Sequence, residues 1–166
     1  YRRDVYNKVG GFREMFSEDI DMSTRIRQAG FKTTLFADLP VWHKRRVSFR
    51  GFLRQTWVFG MSRITLNILY PGSMKLVHAL PAVAVVCALA LVVLAIVCSP
   101  WFLVPIGLWL LLVWVGALLQ SRSLKVSLLA VPASVIQIVG YGTGFLQAAL
   151  SGRRNEARER TLRQGK

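Results

Sequence analysis

Acidic residues are scarce in this chain. Its 166 residues include 8 Asp and Glu against 22 Lys and Arg, for a formal net charge of +14. No acid occurs between Asp38 and Glu156, so carboxylate chemistry is confined to the few places where acids stand. Cysteine is scarcer still. Cys87 and Cys98 lie on one apolar run, roughly 16 Å apart by helical rise, too far to bridge. That excludes a disulfide framework, and no zinc-type spacing is present. Both thiols read as lipid-facing or packed small apolar residues.

Apolar residues are plentiful, at 53% of the chain. Combined with the positive charge, this disfavours a soluble nucleic-acid-binding domain, because the apolar residues are concentrated between Val77 and Leu150 in runs of membrane-spanning length. A basic chain of this kind is expected to meet anionic lipid headgroups or phosphorylated substrates. The chain begins Tyr1-Arg2-Arg3-Asp4 with no initiator Met, as if in mid-domain, and is expected to be the C-terminal part of something longer.

Residues 1–43 read as mixed α/β. A short helix over 3–9 is stopped by Gly10-Gly11, and 12–16 form a loop carrying Glu14. Ser17 is the expected N-cap of a helix running to Ala29 and ended by Gly30, with Glu18 and Asp19 in its first turn, where the helix dipole favours negative charge. Asp21 and Arg25, four apart, can pair across a turn. Residues 32–37 alternate and are β-prone, and 40–43 read as a second short strand.

Residues 44–75 hold seven basic residues and no acid. Phe49, Phe52, Leu53, Trp57, Gly60, Met61, Ile64 and Ile68 recur at helical spacing, and Arg46, Arg50 and Arg54 recur every four residues. That pattern predicts a basic amphipathic helix lying in a membrane interface. Spans are expected at 77–97, 101–119 and 126–150. The third run carries Pro132, Gly140, Gly142 and Gly144, and a broken, re-entrant or interfacial element is expected there as the alternative to a full crossing. The tail, 151–166, is basic and reads as disordered or loosely helical. By the positive-inside rule, 44–75 faces the cytoplasm and Ser99-Pro100 the other side.

The densest acid cluster, Phe16-Ser17-Glu18-Asp19-Ile20-Asp21, places three carboxylates in four residues. Together with Val9-Gly10-Gly11-Phe12-Arg13-Glu14 upstream and Arg25-Ile26-Arg27-Gln28-Ala29-Gly30-Phe31 downstream, it resembles the acceptor half of a membrane-bound, inverting family 2 glycosyltransferase with a GT-A fold. The resemblance covers roughly residues 1–65. It implies an enzyme that moves a sugar from a nucleotide-sugar donor to a lipid-linked or glycan acceptor at the cytoplasmic membrane face. In such a reaction one carboxylate takes the acceptor hydroxyl's proton; the resemblance gives that role to Asp19, with Glu18 beside it. Residues 53–61 resemble the helix that carries a Gln-x-x-Arg-Trp motif in processive synthases, which implies acceptor contacts for Gln55 and Trp57. Aligned on Trp57, Thr56 stands where that motif has Arg, so transfer of a single sugar fits better than processive synthesis. His43, Arg45 and Arg46 are matched to the neighbourhood of the nucleotide diphosphate. The family's divalent metal, Mg or Mn, is expected for the full-length enzyme, but its Asp-x-Asp ligands are absent: the only Asp-x-Asp here, Asp19-Ile20-Asp21, belongs to the acceptor-side helix. The alternative from another class is a non-catalytic helical membrane anchor or assembly subunit that binds anionic lipid.

Overall fold

The computed structural model describes residues 1–34, 36, 38, 40–42 and 48–151. It divides into two compact units, Tyr1–Arg46 and Val47–Lys166. The chain is mostly helical, and among the described residues there is no strand. The α/β character expected for 1–43 is therefore not shown. Residues 32–34, 36 and 40–42 are irregular; Leu35, Ala37 and His43, which complete the two expected strands, lie outside the described residues. Alternation makes a segment suitable for a strand, but a strand needs a neighbouring strand to take its backbone N–H and C=O groups. No described segment supplies one.

Among its described residues, the first unit has two helices joined through a glycine loop. Helix α1 spans Arg3–Lys8 and α2 spans Glu18–Gln28. Gly10 and Gly11 both have left-handed backbone, φ +79 and +69, a conformation that costs glycine nothing. A side chain at Gly11 would also meet the Tyr6 ring, 2.8 Å from its hydroxyl. The core is small: Val5, Met22 and Ile26 are buried, with Val9 and Phe31 packed against them. Helix α2 ends as the sequence predicts, Gly30 taking φ +82 just beyond Ala29.

The described residues of the second unit form four α-helices: α3 (Phe49–Leu69), α4 (Leu80–Val97), α5 (Val104–Ser121) and α6 (Leu124–Leu150). A short 3-10 turn, Leu76–His78, precedes α4, and another, Pro100–Leu103, precedes α5. Helices α3, α4 and α5 all pack against α6. Three segments, Leu80–Val97, Pro100–Ser121 and Leu124–Leu150, are long and apolar enough to cross a membrane. Cys87 and Cys98 are free and exposed on this apolar surface, as are Leu89, Ile96, Trp101 and Leu112. Side chains of this kind are unfavourable in water and suited to lipid, and the chain reads as a membrane protein.

Of the alternatives open for the third apolar run, a helix broken in its middle is not what forms. The third apolar run is not broken: α6 is a single helix of 27 residues with Pro132 inside it, long enough at about 1.5 Å per residue to traverse a bilayer core. Its glycines are contact points. A Cβ at Gly140 would overlap the Thr56 hydroxyl, and one at Gly144 would overlap the Trp57 carbonyl oxygen. Reciprocally, a Cβ at Gly60 on α3 would overlap the Tyr141 carbonyl oxygen. At Gly60 and Gly144 the missing side chain lets a backbone carbonyl of the other helix come close, the kind of approach at which weak Cα–H···O contacts contribute about 0.5–1 kcal/mol each. Gly142 faces elsewhere: its Cβ would lie 2.6 Å from both the Pro81 carbonyl oxygen and Val85 of α4.

Helix α3 is likewise more embedded than a helix lying freely on a surface. Thr56, Gly60, Met61, Ser62 and Leu66 are buried, while Arg50 and Arg54 are exposed as the basic stripe predicts. Arg46, the third member of that stripe, lies outside the described residues.

Candidate functional site

The acid cluster begins α2, and the structure separates its members. Glu18 and Asp19 are exposed, and neither makes a side-chain hydrogen bond or ion pair among the described residues. Asp21 is fully buried. Two residues on from Asp19, it lies on the opposite side of the helix.

Asp21 is the centre of an ionic clamp. Its Oδ2 accepts from Arg25 Nε at 2.9 Å and lies 2.8 Å from Arg25 Nη2, while Oδ1 accepts from Arg13 Nη1 at 3.2 Å. The Arg25 guanidinium also donates to the carbonyl oxygens of Val9 and Gly11. The Asp21–Arg25 pairing read from spacing is therefore present, but it is more than a surface helix pair. It ties the middle of α2 to the Val9-Gly10-Gly11 loop and to Arg13 beyond it. The separate parts of the sequence pattern, Gly-Gly-Phe-Arg and Glu-Asp-x-Asp, meet at one guanidinium, with its planar fork filled by a carboxylate and two carbonyls.

Ser17 corrects another expectation. It stands at the N-cap position, but in left-handed conformation (φ 63, ψ 39), and its hydroxyl makes no cap. Its carbonyl oxygen instead accepts from the N–H groups of Ile20 and Asp21. A non-glycine residue in this region costs on the order of 1 kcal/mol. The tight αL bend swings the chain into α2 directly before Glu18, so the two free carboxylates sit on its first turn beside unpaired helix N–H groups.

The remaining expected site residues are placed unevenly. Gln55 is exposed and Trp57 half-buried on α3. Two apart on a continuous helix, they point to different sides, so α3 alone does not bring them to one acceptor. His43, Arg45 and Arg46 lie outside the described residues. Among the described residues, no group of three His, Cys, Asp or Glu converges as a metal site.

Sequence reasoning missed Arg13 as a partner of Asp21 and missed the helix-packing role of 140–148. Arg13 carried no local signal, because its contact depends on how the glycine loop folds back. The second signal was present: Gly140, Gly144 and Ala148 follow at intervals of four, as do Thr56 and Gly60, the small-residue spacing of close membrane helix pairs. Compared with known protein families, with curated proteins and with solved structures, the chain finds no match in any of the three.

Proposed function

We propose that this chain is the acceptor-side and membrane part of an inverting glycosyltransferase, with Asp19 as general base. The observation that carries the reading is the division of labour within the acid cluster: Asp21 is buried in the clamp, and Glu18 and Asp19 are left exposed at the start of the helix that the clamp anchors. A base needs an accessible carboxylate on a rigid support. In the proposed reaction the Asp19 carboxylate takes the acceptor hydroxyl's proton as that oxygen forms its bond to the anomeric carbon. The bond from that carbon to the nucleotide diphosphate breaks, and its electron pair leaves with the phosphate oxygen. Glu18 assists beside it. On this reading His43, Arg45 and Arg46 lie near the departing diphosphate, Trp57 and Gln55 near the acceptor, and the catalytic part faces the cytoplasm.

The test is transfer of labelled sugar, from a panel of nucleotide sugars, to lipid extract or glycan in membranes carrying the whole protein. Asp19→Asn is expected to lower transfer about 10²–10⁴-fold, the usual loss for a general base, with nucleotide-sugar binding retained. Transfer at the unsubstituted rate would remove Asp19 as base and the mechanism with it.

A second reading is supported by the absence of acids from 39–155 and by the three apolar helices: a non-catalytic membrane anchor whose basic residues hold anionic lipid. Unchanged transfer in Asp19→Asn membranes, or none in unsubstituted ones, favours it.

A further inference from the structure

Three apolar helices of nearly equal reach follow one another in the second unit. By rise alone α4 and α5 each cover about 27 Å, and α6 covers about 27 Å between Leu124 and Gly142. Each length is close to the roughly 30 Å of a bilayer's hydrocarbon core. If all three crossed, the chain would go over, back and over again. Gly142 would then stand near the face opposite Leu80, where α4 begins. The structure puts it at the same level as that start. A Cβ on Gly142 would lie 2.6 Å from the carbonyl oxygen of Pro81, the second residue of α4, and equally close to Val85. Tilt shortens each crossing but does not return an over-back-over path to where it began. The rest of α6, from Gly142 to Leu150, adds only about 12 Å, too little to reach the far face.

The helix that does not cross is α6. It is the least apolar of the three, with Lys125, Ser134, Gln137 and Gln147 along it. It is also laid along α3. Leu53 and Thr56 meet Gly140, Trp57 meets Gly144, and Gly60 meets Tyr141 and Phe145, so the contact advances in the same direction on both helices. Helix α3 carries Arg50, Arg54 and Arg63 and is not among the helices apolar enough to cross; arginines are costly and rare in a bilayer core. A helix held backbone to backbone against α3 shares its layer. We infer that α6 lies with α3 in the leaflet on the side where α4 begins, that the chain crosses the membrane twice, through α4 and α5, and that Ser151 is back on the side of α3.

The charges agree with this path. Lys75 before α4, Arg122 and Lys125 around the start of α6, and Arg153 and Arg154 after it all belong to one face, and the uncharged Ser99-Pro100 belongs to the other, as the positive-inside rule asks. A third crossing would put Arg153 and Arg154 opposite Lys75. The other way to close the path, with α6 crossing and α5 lying flat, would carry Arg122 and Lys125 to the far face, against the same rule. The partner of the α3–α6 layer is the lipid of that leaflet. Leu128, Val139 and Leu150 are exposed along one side of α6 and suit acyl chains, while Arg50 and Arg54, exposed on α3, suit anionic headgroups. The path is the same for an enzyme and for an anchor, so the inference stands or falls separately from the glycosyltransferase reading.

The test is labelling with a membrane-impermeant maleimide in sealed vesicles of either orientation carrying the whole protein. Cys87→Ala and Cys98→Ala first remove the two free, exposed thiols. Single cysteines then enter by Ser73→Cys before α4, Ser99→Cys between α4 and α5, Ser121→Cys at the end of α5 and Ser151→Cys after α6. Ser73→Cys, Ser121→Cys and Ser151→Cys are expected to label from one face and Ser99→Cys from the other. Labelling of Ser151→Cys from the face opposite Ser73→Cys would mean three crossings and overturn the inference. So would labelling of Ser121→Cys from the face of Ser99→Cys, which makes α6 a span, or of Ser99→Cys from the face of Ser73→Cys, which removes α4 as one. Circular dichroism confirms helicity in each variant. If Ser151→Cys does not fold, an epitope fused after Lys166 in the cysteine-free protein decides the matter: antibody should bind it only in vesicles that turn the Ser73 face outward, and binding in the opposite vesicles overturns the inference.

Discussion

Replacing Asp21 with Asn tests the clamp directly. From spacing alone, the Asp21–Arg25 pair is an exposed i,i+4 interaction worth about 0.2–0.5 kcal/mol. The structure raises that figure. The Asp21 side chain is fully buried and that of Arg25 is 11% exposed, so removing the carboxylate charge leaves a largely buried guanidinium without its counter-ion. Breaking a buried pair from one side costs roughly 3–5 kcal/mol; Asn keeps one acceptor for the arginines, which places the expected loss near about 3 kcal/mol. The unit Tyr1–Arg46 has a small core, and at about 0.05–0.15 kcal/mol per residue a unit of this length has only a few kcal/mol in all. Asp21→Asn should therefore come close to unfolding it. The assay is amide hydrogen exchange of the reconstituted protein. Protection of the α2 amides from Met22 onward should fall about a hundredfold, at 1.4 kcal/mol per decade, while α6 amides in the same sample stay unchanged. Asp19→Asn should leave both sets unchanged. A fall of less than about fivefold for Asp21→Asn, or an equal fall for Asp19→Asn, would refute the argument that burial makes Asp21 the structural acid.

Two further outcomes are expected. Gly144→Ala places a methyl against the Trp57 carbonyl oxygen and should weaken the α3–α6 contact by about 1–3 kcal/mol, read as a lower melting temperature in detergent, whereas Gly116→Ala, with open space around it, should not. His78 has its pKa lowered below its ordinary 6.5, first by burial and then by the charges of Arg63 on α3 and neighbouring Lys75. Folded, it binds fewer protons than unfolded in the window just below 6.5, so local stability falls as pH drops through that window; exchange at Ala79, whose N–H bonds Leu76, should accelerate there beyond its intrinsic rate, and His78→Gln should abolish the effect.

Much of the architecture was legible in the sequence because it rests on periodicity and length. Helices α1 and α2 start and stop within a residue or two of where glycine and capping position them, and the three apolar runs become the three long apolar helices. What was illegible depended on neighbours. Gly140, Gly142 and Gly144 look like helix breakers in isolation, and only the closeness of α3 and α4 makes their missing side chains an advantage. Ser17 has the composition of an N-cap, yet the backbone path from the glycine loop turns its hydroxyl away. Asp21 has the spacing of a surface pair, and nothing local foretells that Arg13 joins it or that the Val9 and Gly11 carbonyls take up its partner Arg25. Residues 32–34 have the composition of a strand, and among the described residues no strand stands beside them.

The alternation of glycines in α6 has a consequence for how such a helix changes over time. Gly140 and Gly144 are held bare by α3, and Gly142, between them, is held bare by α4. Thr143, between Gly142 and Gly144, is exposed. Selection therefore acts on every second position within a segment whose geometry repeats every 3.6 residues. Among relatives, this stretch should keep small residues with a period of two, the signature ordinarily left by a half-buried strand. Two neighbours pressing on one backbone from different sides can thus write a β-like pattern into a helix.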